Sequence, residues 1–337
     1  MPSVKRARPM LGRRAPAPVV IHSAPLVLPM CAEPFRDGAV ATRDERVISV
    51  GPRADLLTSH PAAEEVRWRG MIVAGLVDAC SAGPSAGPSA APGVTARARV
   101  VSDLADSGGF RGVSYIEVTS GSEQEWEDVE RDAVITAIRE IDRPCAVGIA
   151  VHTRDSLVLE DVAVLARTFG LRLLVDLDRH SPAALDEAGV LGSLCHVVCA
   201  RPLDPGERKL LRLRRTVVAL YPAAEDALAL LEEGNVVAFC DTGPAGPLGS
   251  AAAVRRHVRE RGLRPRGLDR RLVEAATLGG ARALGMDRGK GRIGALAPGA
   301  RADFAVYDAR GRYPYSALLA GPPCLGTVVG GTLAQTA

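Results

Sequence analysis

Side chains able to act as nucleophiles, proton carriers or metal ligands are sparse and scattered in this chain. There are six histidines and seven cysteines in 337 residues, the cysteines at 31, 80, 145, 195, 199, 240 and 324. An odd count without framework spacing predicts free thiols in a reducing cytoplasm. Cys195-His196-Val197-Val198-Cys199 sets two thiols in one apolar run, with no second ligand pair at zinc-knuckle spacing. There is no Gly-Lys-Ser/Thr phosphate loop and no Gly-x-Ser-x-Gly nucleophile elbow. Gly243-Pro-Ala-Gly-Pro-Leu-Gly249 is proline-rich, unlike a dinucleotide fingerprint. What remains are isolated thiols, imidazoles and carboxylates with no motif of their own. A thiolate or carboxylate can ligate a divalent metal, whereas a guanidinium opposes a cation and suits an anion. The competing readings are a small buried Cys80, a core-packed His196, solvated strand ends at Asp176 and Arg179, and a turn-capping Asp241.

The elements that would position these residues follow from periodicity. Residues 17–70 alternate short apolar runs with turn signals and read as short strands, a pattern that returns over 290–337. Between them, apolar runs at 71–77, 112–118, 145–151, 171–177, 195–199, 216–220 and 235–240 alternate with helical periodicity at 123–141, 157–169, 205–213, 225–233, 251–261 and 268–284. Repeated β-α units predict a parallel sheet or barrel. Seven such strands leave an eight-stranded barrel one short. Residues 82–93, rich in Gly, Pro and Ser, read as a flexible loop directly after the first buried strand. Residues 1–16 carry five basic residues and three prolines and read as a disordered tail.

Composition excludes several classes. Apolar residues make up 47% and charged residues 24%, which supports a sizeable core. A net charge of +3 gives no argument for nucleic acid or a membrane surface. No apolar run approaches a bilayer-spanning length.

Gly70-Met-Ile-Val-Ala-Gly-Leu-Val-Asp-Ala79 resembles the first barrel strand of the amidohydrolase superfamily, in the branch of cytosine deaminase and imidazolonepropionase. Residues 273–285 and then 291–307 are similar to that branch's last barrel helix and its return into a β-sandwich. The resemblance spans about 16–337. It implies an α/β fold: a TIM-type barrel over 71–289, one strand short by the count above, and a small sandwich built from 17–70 and 290–337. It also implies hydrolysis of non-peptide C–N bonds by a metal-activated water.

Carried over residue by residue, the family's first-strand His-x-His falls on Cys80-Ser81-Ala82, so both imidazoles are replaced. The fifth-strand His falls on Asp176, and the nearby catalytic Glu on Arg179. The sixth-strand His falls on His196 and the eighth-strand Asp on Asp241, which makes these two the candidate catalytic residues. His152 resembles a substrate-facing fourth-strand His, and with Arg179 it is a candidate for substrate binding. Four metal ligands are reduced to Asp241, so no cofactor is expected. A zinc ion, if bound, would fall to Cys80, Asp176 and Asp241. The reading is a divergent amidohydrolase-fold protein, cytoplasmic, without the usual metal, serving as a small-molecule-binding or scaffold protein. Its partners are a small molecule, and a second copy is compatible with the sequence; nucleic acid and membrane are not expected. The alternative is an active deaminase of a cyclic amidine or nucleobase-type compound with an atypical metal site.

Overall fold

The computed structural model describes residues 17–81, 91–102, 111–140, 146–222, 225–240 and 243–336. The tail at 1–16, most of the Gly-Pro-Ser segment and Asp241 lie outside the described residues. Among the described residues no helix is long and apolar enough to cross a membrane.

Two eight-stranded sheets organise the chain. The first draws on both chain ends: β1 (Val19–Leu28), β2 (Phe35–Arg43), β3 (Arg46–Pro52), β4 (Glu64–Arg67) and β5 (Met71–Ala74) join strands that return after residue 300. The second is parallel and runs in strict chain order: β6 (Leu76–Ser81), β7 (Val94–Val101), β8 (Gly112–Val118), β9 (Ala146–Val151), β10 (Arg172–Asp176), β11 (Cys195–Cys199), β12 (Val217–Leu220) and β13 (Val237–Phe239). β13 comes back against β6, so the sheet is a nearly closed TIM-type barrel. The first sheet is completed by β14 (Phe304–Tyr307), β15 (Cys324–Val329) and β16 (Thr332–Thr336). β5 is its meeting point, parallel to β1 (Leu26 opposite Met71) and antiparallel to β14 (Ile72 opposite Val306).

Two boundaries differ from the sequence reading. The apolar run at 71–77 is not one barrel strand. Met71–Ala74 pairs in the composite sheet, and the barrel begins at Leu76. Gly75 stands at the crossing, where an added Cβ would lie 2.1 Å from Thr95 Oγ1, so no larger residue fits without displacing β7. The strand missing from the sequence count is β7. Its Val94-Thr-Ala-Arg-Ala-Arg-Val-Val101 alternates small and charged residues, unlike the continuous apolar run expected of a buried parallel strand. The segment before it is anchored at its far end: Leu76 N–H donates to the Gly93 carbonyl (2.9 Å), and Gly93 N–H donates to Thr327 Oγ1 (2.9 Å).

Helices pack on the barrel's outer face through the other half of each strand's residues. Helix Ser156–Phe169 starts on Asp155, whose carboxylate accepts the N–H groups of Leu157 (2.9 Å) and Val158 (3.1 Å), and ends on Gly170 at φ 66°. Its Val158, Val162 and Ala166 are buried in a core continuous with Ile116 and Ile149 on the strands. Asp303 joins the two sheets. Its side chain is 1% exposed, it accepts Arg111 Nη1 (2.6 Å) and Gly330 N–H (2.6 Å), and its carbonyl accepts Gly75 N–H (3.1 Å).

The composite sheet yields a direct test. Phe304 on β14 is fully buried and meets His22 of β1 edge-on at 4.9 Å. Phe304→Ala should cost about 3–5 kcal/mol of unfolding free energy in chemical denaturation. A loss below about 1 kcal/mol would mean that the two chain ends do not share a core.

Candidate functional site at the barrel mouth

Alternate residues of each barrel strand point inward. Val113 and Tyr115, Leu174, Val198, Ala219 and Ala238 form one interior cluster, separate from the helix-facing core that holds Ile116 and Val118. By the same alternation Glu117, His152, Asp176, Tyr221 and Cys240 come to the inner rim at the C-terminal ends of their strands, where a barrel of this type carries its chemistry. Cys80 joins them from β6.

The floor beneath this rim is closed by three polar side chains. Arg172 is buried and donates through Nη2 to the Ala283 carbonyl (2.6 Å) and through Nη1 to the Ser193 carbonyl. His196 is fully buried, with Nε2 3.0 Å from the Ala79 carbonyl and Nδ1 3.5 Å from Tyr115 Oη. The carbonyl can only accept, so Nε2 carries the proton and Nδ1 accepts. Burial, reinforced by the Arg172 charge, lowers the His196 pKa to about 3. Burial likewise raises the Tyr115 hydroxyl above its ordinary range. His196 is therefore a neutral, fully engaged imidazole. It pairs in register with Leu174, while Asp176 stands opposite Val198, so His196 sits one interior layer below Asp176.

At the rim, Asp176 is held on both sides. Oδ1 accepts Asp178 N–H (2.8 Å) in a tight Asx-type turn, and Oδ2 lies 4.0 Å from Arg179 Nε. Cys80 N–H donates to Asp78 Oδ1 (3.0 Å), and its side chain is buried. Cys240 is fully buried, and burial followed by hydrogen bonding with Cys80 pushes its thiol well above its ordinary range. Tyr221 closes this side, its hydroxyl also raised, first by burial. On the opposite side His152 Nε2 lies 3.7 Å from Glu117 Oε1, an ion pair when the imidazole is protonated but too long for a hydrogen bond. His180, in the turn after β10, is buried, and burial then the Arg154 charge lower its pKa. The structure thus brings Cys80, His152, Asp176 and Arg179 to one rim and keeps His196 beneath it. Glu117, Tyr221 and His180 are additional rim residues. For Glu117 the signal was available: it continues the inward alternation Val113, Tyr115.

A catalytic zinc keeps three protein ligands and an open position. Among the described residues no group of three His, Cys, Asp or Glu side chains is arranged to hold a metal ion. Asp176 spends one oxygen on a backbone N–H, and the guanidinium beside the other repels a cation. Asp241, the remaining ligand candidate, lies outside the described residues.

With this geometry in hand, comparison with known proteins is informative. A solved adenosine deaminase from Xanthomonas campestris with bound zinc superposes with a TM-score of 0.75 at 19% identity, over 95% of this chain and 94% of that one. The chain has the amidohydrolase fold. The aminofutalosine deaminase of Helicobacter pylori (TM-score 0.74, 14% identity, 94% and 100% coverage) and atrazine chlorohydrolase of Arthrobacter aurescens with zinc (0.73, 16%, 93% and 94%) share it. Residues 38–63 match the family model of the bacterial imidazolonepropionase-like composite domain. The imidazolonepropionase of Saccharopolyspora erythraea is 37% identical over 119 residues, which is 32% of this chain and 29% of that protein.

The buried imidazoles on this amidohydrolase fold predict an acid limb of stability. The unfolded chain binds a proton at His196 below about 6.5, the folded chain only near 3, so protonation favours unfolding throughout that window. His22, lowered to about 4 by burial, acts in the same direction. Stability should be complete above pH 6.5 and fall as pH is lowered through this window. In denaturant titrations from pH 7 to pH 4, His196→Gln should show a shallower fall than the parent chain; equal slopes would contradict the assignment.

Proposed function

We propose that this amidohydrolase-fold protein binds a small molecule at the barrel mouth without the usual metal centre of the fold. The observation that carries the reading is the state of Asp176, the residue at the fifth-strand ligand position: one oxygen is committed to the turn and the other faces Arg179. Cys80 stands where the first imidazole would be, in contact with a second thiol rather than with other ligands. The rim nevertheless offers a varied set of polar groups. Tyr221 is a neutral hydroxyl, Glu117 an acceptor, and His152 has a buried Nε2 with no hydrogen-bond partner among the described residues. Arg179, half exposed, can meet an anionic group of the ligand. Such a rim suits a small polar heterocycle of the nucleobase or cyclic amidine type. All six described cysteines are free thiols, in keeping with a reducing cytoplasm.

A second reading has its own support. Solved relatives of the fold include an adenosine deaminase with bound zinc and an atrazine chlorohydrolase complexed with zinc. On that reading the chain is a hydrolase of non-peptide C–N bonds with an atypical metal site drawn from Cys80, Asp176 and Asp241. His196 and Asp241 would then be its catalytic pair.

Metal content separates the two. Elemental analysis of protein purified without chelator should find well under one equivalent of zinc, iron or manganese per chain, and Asp241→Ala should leave that content unchanged. Stoichiometric metal that is lost on Asp241→Ala would overturn the first reading in favour of the second. Thermal-shift screening with purines, pyrimidines and cyclic amidines then tests the ligand class, and Glu117→Gln should diminish any stabilisation found.

A further inference from the structure

The arginines of this molecule fall into two groups. One comprises those neutralised at close range, as in Arg208 with Glu233 (2.7 Å), Arg214 with Asp186 (2.5 Å) and Arg53 with Glu65 (2.6 Å). A second group lies remote from the barrel mouth, where the end of helix Gly246–Glu260 and the start of helix Leu268–Glu274 face helix Pro314–Leu318. Here a cleft of about 290 Å³ is lined by Arg259, Arg264 and Arg270, with Asp269 as its one acidic side chain. An adjoining hollow of about 590 Å³ shares Arg259 and adds Arg255 and Arg256, against Glu260.

Charge here is under-neutralised. Asp269 is shared at long range by Arg259 (3.4 Å) and Arg255 (3.8 Å). Burial lowers the Arg255 pKa against the pull of Asp269, with a smaller push in the same direction from Arg259. Arg264 is held by its Nη1, which donates to the carbonyls of Arg259 (3.0 Å) and Leu263 (2.9 Å). Its remaining N–H groups have no protein partner among the described residues. Arg270 pairs with Glu33, an exposed residue outside the cleft lining. The opposite wall is aromatic. Tyr313 is 71% exposed, and the buried hydroxyl oxygen of Tyr315 finds no hydrogen-bond partner among the described residues.

From this juxtaposition of guanidinium groups in excess of the nearby carboxylates, an exposed aromatic ring and an unpartnered buried hydroxyl around one cleft, we infer a second ligand site, specific for a nucleoside phosphate. Guanidinium N–H groups in a fixed fork match phosphate oxygens better than a point charge would. The exposed Tyr313 ring, with the Arg312 guanidinium 5.9 Å from its centroid, offers its other face for a base to stack on. The main cleft is at the small end of ligand pockets, and the adjoining hollow shares Arg259 with it.

The test is calorimetric titration of the full-length chain with ADP at low and at physiological salt, with inorganic phosphate and adenosine as comparison probes. ADP should bind saturably at one site per chain, with affinity falling as salt rises. Adenosine and inorganic phosphate should each bind roughly tenfold or more weakly, and Arg264→Ala and Tyr313→Ala should each weaken ADP roughly tenfold. Both residues lie at the surface cleft, and an unchanged melting temperature in the variants verifies folding. Asp176→Asn at the barrel mouth should leave ADP affinity unchanged. The inference is overturned by absence of saturable ADP binding at low salt. It is equally overturned by binding indifferent to both cleft variants, by loss of binding on Asp176→Asn, or by phosphate binding as tightly as ADP.

Discussion

One backbone crossing supports the whole architecture. Met71–Ala74 and Leu76–Ser81 are consecutive strands of two different sheets, and the single residue between them, Gly75, has no room for a side chain against Thr95. Its N–H is held by the Asp303 carbonyl, and the Asp303 carboxylate takes Arg111 and the Gly330 N–H. The same few atoms therefore fix the start of the barrel, the return of the C-terminal strands and the entry to β8. A buried carboxylate of this kind is tolerated because each partner compensates its desolvation.

From that joint the barrel follows with little freedom. Its interior is narrow and lined mostly by Val, Ala and Leu, so the few large or polar side chains dominate where they occur. Tyr115, Arg172 and His196 fill the floor and satisfy one another or backbone carbonyls. The rim above it is where unsatisfied groups collect: the His152 and His180 Nε2 atoms, the Asp176–Arg179 pair and the Cys80–Cys240 contact. The guanidinium of Arg179 turns the rim's electrostatics away from a divalent cation.

Much of the fold was legible in the sequence because its signals are local. Continuous apolar runs marked seven of the eight barrel strands, the first of them merged with β5, and 3.6-residue periodicity marked the helices. The short strands at both ends announced the composite sheet. The position of Cys80, Asp176 and Arg179 at strand ends was also readable, since those ends follow from the apolar runs. β7 was not legible, because its alternation of small residues with Arg97 and Arg99 imitates an exposed strand. Nor was Gly75 as a boundary, because an uninterrupted apolar run does not say which sheet each half joins.

The sequence by itself determined most of the element types, their order, and the parallel barrel between two sheet-forming ends. Tertiary structure alone decided depth and company. Whether an inward residue reaches the rim or the floor depends on the register between neighbouring strands, which the pattern of a single strand does not specify. This is why His196, on the right strand, lies a layer beneath Asp176 and bonds to Ala79. It is also why Glu117 meets His152 from another strand, and why arginines on helix Gly246–Glu260 face tyrosines more than fifty residues further along the chain. Those meetings are made by packing between distant segments, and no local periodicity carries them.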